Sequence, residues 1–193
     1  METLTSLASG ADEGLFLLIN NGLSNPALDI VMTFFSVVGD APGWILCGLA
    51  FIYFSDRTRF RRRSAIFLLT MGVAGLFLNL SKDVVGRGRP LERFKHEIAA
   101  GKVVIHAPYE TLTARSFPSG HSQAAFTAAT FLFLYYRRFG VVLFACAMMV
   151  AVSRVYVGSH FPADVVVGSA FGWGMGYVAW RLDPSQTQRE KTA

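Results

Sequence analysis

The feature that most constrains this chain is a set of six segments without a single Asp, Glu, Lys, Arg or His. Phe139–Ser153, for example, reads FGVVLFACAMMVAVS and has no polar face, whereas a surface helix of a soluble protein has one. The six segments are Gly14–Leu28, Ala41–Ser55, Ser64–Ser81, Ser122–Tyr136, Phe139–Ser153 and Val165–Trp180.

Two properties of these segments point in different directions. A helix needs about 20 apolar residues to span a bilayer, so the segments are short, which favours a soluble protein. Against this, charged residues make up only 16% of the chain and hydrophobic residues 52%, and 193 residues cannot bury six such helices. The recurring glycines at 168, 172, 174 and 176 also suit close helix packing in lipid. We therefore predict an all-α, integral-membrane bundle of six transmembrane helices, with spans at 24–39, 41–55, 64–84, 119–137, 139–158 and 163–181.

The ends of the chain are less apolar. A run of helix breakers at 20–26 predicts a short N-terminal interfacial helix near Leu15–Asn20, with 14–23 either interfacial or part of the first span. The start of the chain has no basic residues, so no signal peptide is predicted. We assign residues 1–182 to one membrane domain and 183–193 to a polar cytoplasmic tail. The two cysteines are too few for a disulfide scaffold.

Orientation follows from Lys and Arg in the connections. One face has ten and the other eight. Three of the eight are assigned to anion binding below, so eight minus three leaves five, and the face with ten is predicted to be cytoplasmic. Both termini then lie on the cytoplasmic face, the long connection 86–118 faces outward, and the net charge of +5 needs no nucleic-acid partner.

Three short segments contain the residues suited to chemistry, and the predicted spans bring all of them to the outward face. They are Lys82 followed after six residues by Arg89-Pro90, then Pro118-Ser119-Gly120-His121, then Ser153-Arg154 followed by His160 and Asp164.

The first two segments suit anion binding. Lys82 and Arg89 flank two glycines, so the backbone can bring both cations to one anion, although such cations also anchor helix ends in membranes. Ser119 is a candidate N-cap. The amides of Gly120 and His121 would then point out of a helix N-terminus, where phosphate is stabilised. The alternative is an ordinary helix start.

The third segment suits nucleophilic catalysis. His160 and Asp164 are spaced i, i+4, and Pro162 between them suits a first helical turn. The carboxylate can fix the imidazole tautomer and leave the other ring nitrogen as a nucleophile. The alternative is a His–Asp pair that only stabilises a loop.

In order and spacing, the three segments resemble the type 2 phosphatidic acid phosphatase superfamily, with every defining position present. The resemblance implies an all-α membrane lipid phosphatase that needs no metal or other cofactor. It implies that His160 attacks phosphorus to form a phosphohistidine, that Asp164 orients His160, and that His121 protonates the leaving oxygen. The implied phosphate-binding residues are Lys82, Arg89, Arg154, Ser119 and Gly120.

The implied partners are the bilayer and a lipid phosphate, at the outer face of a bacterial-type inner membrane. The candidates are undecaprenyl diphosphate, phosphatidylglycerol phosphate, phosphatidate and lipid A 1-phosphate. A vanadate-dependent haloperoxidase-like enzyme and a non-enzymatic protein with a relic site are the alternatives, and the oligomeric state stays open. Arg115 is a candidate substrate contact, and Arg87, His96 and His106 are expected to be solvated.

Overall fold

The computed structural model describes residues 2–108 and 110–185, with side chains from residue 9 onward. All of the regular structure in these residues is helical. The helices are α1 (Glu2–Leu17), α2 (Pro26–Val38), α3 (Ala41–Ser55), α4 (Phe60–Val85), α5 (Pro90–Arg93), α6 (Lys95–Ala99), α7 (Gly120–Tyr136), α8 (Gly140–Tyr156) and α9 (Pro162–Leu182), with a π-helical turn at Leu18–Gly22 and a 3₁₀ turn at Arg57–Arg59.

Helices form at all six predicted positions, and side-chain caps mark the starts of α2, α3 and α7. The side chains of Asn25 and Asp40 accept N–H bonds at the starts of α2 and α3, and proline occupies the first turn of both. Judged by length and hydropathy alone, only Arg57–Ala99 among the described residues qualifies as a membrane span, and Ser9–Gly22 with Pro26–Val38, bent by 118°, qualifies as a pair.

The N-terminal helix is much longer than the predicted interfacial helix at Leu15–Asn20. It runs through α1, and the π-helical turn continues it to Gly22. The breakers at Asn20 and Asn21 do not end it, because tertiary contacts satisfy their side chains. The Asn20 amide donates to the carbonyls of His106 and Tyr156, both at 2.7 Å.

The bundle has two ends that differ in composition. We call the end where α4 and α8 stop and α7 and α9 start the motif end, because the three motif segments lie there. We call the opposite end the basic end, after the arginines of 57–63.

The helices α2 and α3 both run from the motif end towards the basic end. The Asn25 N–H, at the start of α2, donates to the hydroxyl of the last residue of α8 at 3.1 Å. After α2, a Cβ on Gly39 would lie 2.4 Å from Val150, in the middle of α8. Near the end of α3, Phe51 packs against Phe139 just before α8, with 6.2 Å between ring centroids. The two helices together therefore cross the bundle once, and the predicted antiparallel pair of spans is not formed.

As a result, the second half of α1 and the end of α9 make their contacts at opposite ends of the bundle. At the motif end, Asp12 of α1 accepts an N–H from the first turn of α9 at 2.8 Å, and Phe16 packs against Phe161 at 5.3 Å. At the basic end, Asp183 pairs with Arg62. These contacts do not support the predicted location of both termini on one face, because α2 and α3 share one crossing.

The interface between α7 and α9 is built on glycine. A Cβ on Gly168 would lie 2.5 Å from the Ser119 carbonyl oxygen, and one on Gly172 would lie 2.3 Å from that of Gln123. Gly174 has nothing within 4 Å, so it takes no part in the close approach. This packing brings the start of α7 against α9, where the Ser119 N–H donates to the Asp164 carbonyl at 3.0 Å.

The predicted tail begins inside the folded structure. Asp183 is 4% exposed, and its carboxylate accepts a hydrogen bond from the Tyr135 hydroxyl at 3.0 Å. Residues 186–193 of that tail lie outside the described residues.

Candidate active site

The centre of the site is a buried group formed by His160, Asp164 and Ser116. Nδ1 of His160 is 3.5 Å from Oδ2 of Asp164 and 3.5 Å from the Ser116 hydroxyl. That hydroxyl donates to the same carboxylate oxygen at 2.5 Å. All three residues are at most 1% exposed. Because Nδ1 faces the carboxylate and the hydroxyl, Nε2 is the ring nitrogen available for chemistry.

The imidazole of His160 is held in its neutral form. Burial lowers the pKa of His160 to about 4, against the opposing effect of its hydrogen bond to Asp164. A neutral imidazole has a lone pair on one ring nitrogen. His160 is therefore able to act as a nucleophile at neutral pH.

Asp164 is fixed by groups from several parts of the chain. Its Oδ2 atom accepts the Phe161 N–H at 2.9 Å, and its Oδ1 atom accepts from Arg87 Nη1 at 2.6 Å. The Arg87 guanidinium also lies 4.3 Å above the Phe161 ring. The expectation that Arg87 is solvated is therefore wrong, because a buried carboxylate binds it.

The three predicted cations lie near His121, and two of them, Arg89 and Arg154, also lie near His160. Lys82 at the end of α4, Arg89 of the connection and Arg154 of α8 all act electrostatically on His121. His121 and His160 also interact with each other. Arg89 is fixed by backbone carbonyls, with Nε donating to Ala114 at 2.8 Å and Nη1 to Ser159 at 3.1 Å.

The start of α7 adds backbone groups to this cluster. Ser119 is the N-cap, as predicted, and its hydroxyl accepts the Ser122 N–H at 3.4 Å. Lys82 Nζ lies 3.9 Å from the position of a Cβ on Gly120. The ammonium therefore lies beside the free N–H groups of the first turn, and both favour an anion.

Two polar residues that sequence reasoning missed contact Arg154. Its guanidinium donates to the Ser36 hydroxyl and to the Glu110 carboxylate, and Ser159 also donates to Glu110 at 2.7 Å. Although burial opposes ionisation, Arg154 and the Ser159 hydrogen bond hold the pKa of Glu110 below its usual value. A carboxylate therefore contacts part of the Arg154 guanidinium that is predicted to bind phosphate.

The remaining candidates lie outside this cluster. Arg115 pairs with Asp83 at 3.0 Å, and both side chains are at least half exposed. His96 is exposed, as expected. His106 is not solvated, because its Nε2 atom lies 2.6 Å from an Asp29 carboxylate oxygen.

The missed residues share one cause. Ser116, Ser36 and Glu110 fall outside the three motif segments, and a lone Ser or Glu in a connection is ordinarily solvated. Arg87 could have been identified from the sequence, because it is an additional arginine between the two glycines of the first motif segment. Among the described residues, no three His, Cys, Asp or Glu side chains are grouped as metal ligands would be.

Several known proteins are similar to this chain in sequence. The profile of the PAP2 superfamily matches residues 63–188. The chain is 33% identical over 155 residues to the lipid A 1-phosphatase of Rhizobium etli, covering 69% of this chain and 62% of that protein. It is 41% identical over 112 residues to the lipid A 1-phosphatase of Rhizobium johnstonii, covering 56% of this chain and 43% of that protein. The matches thus span about three fifths or less of these relatives.

Two solved structures have a similar fold. Aquifex aeolicus LpxE gives a TM-score of 0.70 at 29% identity, covering 87% of this chain and 93% of that chain. The transmembrane PAP2 type phosphatidylglycerolphosphate phosphatase of Bacillus subtilis gives a TM-score of 0.73 at 24% identity, covering 93% of this chain and 87% of that chain. With its helical fold and its matched motif segments, the chain belongs to the PAP2 superfamily.

Proposed function

We propose that this protein is an integral-membrane, metal-independent lipid phosphatase that works through a phosphohistidine. One observation carries the proposal: a buried His160 faces Asp164 and lies near Arg89 and Arg154, which also lie with Lys82 near His121. Phosphoryl transfer depends mainly on positioning and on stabilising the charge of the phosphoryl oxygens, and this cluster supplies both.

In the first step, the Nε2 lone pair of His160 attacks phosphorus, and the bond from phosphorus to the lipid or diphosphate oxygen breaks. His121 donates a proton to the departing oxygen. As the new P–N bond places positive charge on the ring, Asp164 stabilises the Nδ1–H. The three cations and the amides at the start of α7 bind the phosphoryl oxygens, as the resemblance implies for Lys82, Arg89, Arg154, Ser119 and Gly120.

In the second step, His121 accepts a proton from a water molecule that attacks the phosphohistidine. The P–N bond breaks, its electron pair returns to His160, and inorganic phosphate leaves. His121 is then protonated again for the next turnover. Ser119 contributes through its hydroxyl: the oxygen accepts from the Ser122 N–H and hydroxyl, so its own O–H is directed to a phosphoryl oxygen, whereas its backbone N–H donates to Asp164.

The substrate we propose first is the 1-phosphate of lipid A. Its support comes from the two rhizobial relatives, both named lipid A 1-phosphatase. An undecaprenyl-diphosphatase of Sulfolobus acidocaldarius is 28% identical over 176 residues and covers 90% of this chain, so undecaprenyl diphosphate is the second candidate.

We place the bilayer across α3, α4, α7, α8 and α9, with α2 oblique near the motif end. At about 1.5 Å per residue, the 15 residues of α3 are about 22 Å long, short against a hydrocarbon core of about 30 Å, and α2 supplies the remaining depth. The basic end then faces the cytoplasm, and the site and α1 lie at the outer face of a bacterial-type inner membrane.

The test is release of inorganic phosphate by the detergent-purified protein with EDTA present. The panel is lipid A 1-phosphate, undecaprenyl diphosphate, phosphatidylglycerol phosphate and phosphatidate, with His160→Ala as the blank. We expect release from one lipid well above the others and none from His160→Ala. An active His160→Ala protein, or no release from any lipid, would contradict the proposal.

A further inference from the structure

The N-terminal helix reaches the buried carboxylate of the site through a single arginine. Arg87 donates from Nη1 to Asp164 at 2.6 Å and from Nη2 to Asp12 of α1 at 2.7 Å. The other oxygen of Asp12 accepts the Ala163 N–H, one residue before Asp164, at 2.8 Å. Asp12 thus contacts both the arginine that holds Asp164 and the backbone that presents it.

A second ion pair joins the same helix to the same connection without touching the site. Glu13 accepts from Arg93 Nε at 2.8 Å, and the Arg93 side chain is half exposed. It anchors α1 as the first pair does, but it does not contact Asp164. Substituting each ion pair in turn therefore distinguishes a loss of helix anchoring from an effect on Asp164.

We propose that Asp12 and Arg87 are positioning residues for the Asp164–His160 pair, so that α1 acts on the site through Asp12. This inference rests on the proposed function. Arg87 fixes the Oδ1 atom of Asp164, which leaves Oδ2 for Ser116 and His160. Asp12 balances the charge of Arg87 and fixes its rotamer.

The charge balance predicts that substituting Asp12 and substituting Arg87 change the protonation of His160 in opposite directions. In Asp12→Asn the Arg87 charge is no longer neutralised, so protonation of His160 becomes harder. In Arg87→Gln a positive charge is lost and the carboxylate is no longer shared, so protonation becomes easier. The other charged or titratable groups that face His160 are Arg154 of α8, His121 of α7 and Arg89 of the connection. Lys82 lies near His121 rather than His160, and Glu110 contacts Arg154. All of these stay unchanged.

The experiment compares the full-length variants Asp12→Asn, Arg87→Gln and Arg87→Lys with the controls Glu13→Gln and Arg93→Gln. Three quantities are measured: kcat and KM for phosphate release, the melting temperature, and the titration midpoint of the His160 imidazole. The midpoint comes from NMR of ¹⁵N-histidine-labelled protein, assigned by loss of the signal in His160→Gln, and needs no turnover.

We expect Arg87→Gln to lower kcat by about 100-fold, since small misplacements cost that much, and Asp12→Asn by about 10-fold, the loss of one charge-assisted hydrogen bond. Arg87→Lys should lie between wild type and Arg87→Gln. The controls should stay within about twofold, as surface substitutions do. The His160 midpoint should fall in Asp12→Asn, rise in Arg87→Gln and stay fixed in the controls.

Two outcomes would overturn the inference: equal losses of kcat in the control pair, or an unmoved His160 midpoint in folded Asp12→Asn and Arg87→Gln. Wild-type protein that releases no phosphate but shows the opposite midpoint shifts would contradict the proposed function and leave the positioning role supported. If Arg87→Gln does not fold, Asp12→Asn alone decides, because it keeps the arginine and its bond to Asp164.

Discussion

Each end of the bundle contains a buried aspartate bound to an arginine, and the two are used differently. At the motif end, Asp164 is fixed by Arg87 and Ser116 and faces His160. At the basic end, Asp183 is fixed by Arg62 and Tyr135, and no histidine contacts it among the described residues. The same kind of ion pair thus lies beside the proposed nucleophile at one end and fixes the residue after α9 at the other.

Replacing the two aspartates should give the largest contrast. Asp164→Asn preserves shape but removes the charge that stabilises His160 as it becomes cationic, so we expect kcat to fall by about 10³- to 10⁴-fold, as in other His–Asp pairs. Asp183→Asn should leave kcat close to wild type and lower the melting temperature. Phosphate release and thermal unfolding of both variants measure this, and comparable losses of kcat would remove the distinction between the ends.

The glycine interface that supports the motif end provides the next contrast. In Gly172→Ala, the added methyl group would lie 2.3 Å from the Gln123 carbonyl, so α7 and α9 must separate, at a cost of about 1–3 kcal/mol. In the matched control Gly174→Ala, the methyl group meets open space, and the change should be neutral or stabilising by up to about 1 kcal/mol. Melting temperatures in one detergent decide this, and equal losses would show that the interface is not closely packed.

The protonation state of His160 tests whether the imidazole at the motif end is buried and neutral. Its pKa of about 4 predicts that the ¹⁵N signal titrates well below pH 6. Because the folded pKa is below the ordinary 6.5, neutral His160 stabilises the fold above pH 6.5, and this contribution decreases as the pH falls towards 4. A midpoint near 6.5 in the NMR titration would mean that the imidazole is not desolvated.

The smallest effect is expected at Arg62, whose side chain is 51% exposed. Exposed ion pairs contribute about 0–1 kcal/mol, so Arg62→Gln should lower the melting temperature by no more than a few degrees and leave phosphate release unchanged. A large loss of stability would show that Asp183 depends on this one partner rather than on Tyr135 as well.

Sequence reasoning could place the helices and the motif residues because both depend on local pattern. Apolar length predicts α7, α8 and α9, and the Ser119 cap marks the start of α7. Residue identity and spacing select His121, His160 and Asp164. The direction of α2 could not be predicted, since an apolar segment of 13 residues shows no sign of the helix it will cross.

The partners of the motif residues were equally out of reach, because they depend on contacts distant in sequence. Asp12 and Arg87 are 75 residues apart, and Glu110 and Arg154 are 44 apart. The residues around Asp12 and Glu110 in the sequence do not distinguish these carboxylates from solvent-exposed ones. The tertiary fold alone identifies them as neighbours of the site.

The most direct test of the account is to trap the covalent intermediate. Protein mixed with ³²P-labelled lipid phosphate and quenched in alkali within milliseconds should carry label on His160, identified by mass spectrometry of the peptide around Ser159–Phe161. His160→Ala should carry none, and label that forms on His121→Ala should decay more slowly than on wild type, because the attacking water has lost its base. Label on another residue, or turnover of wild-type protein without any label, would contradict the assignment of His160 as the nucleophile.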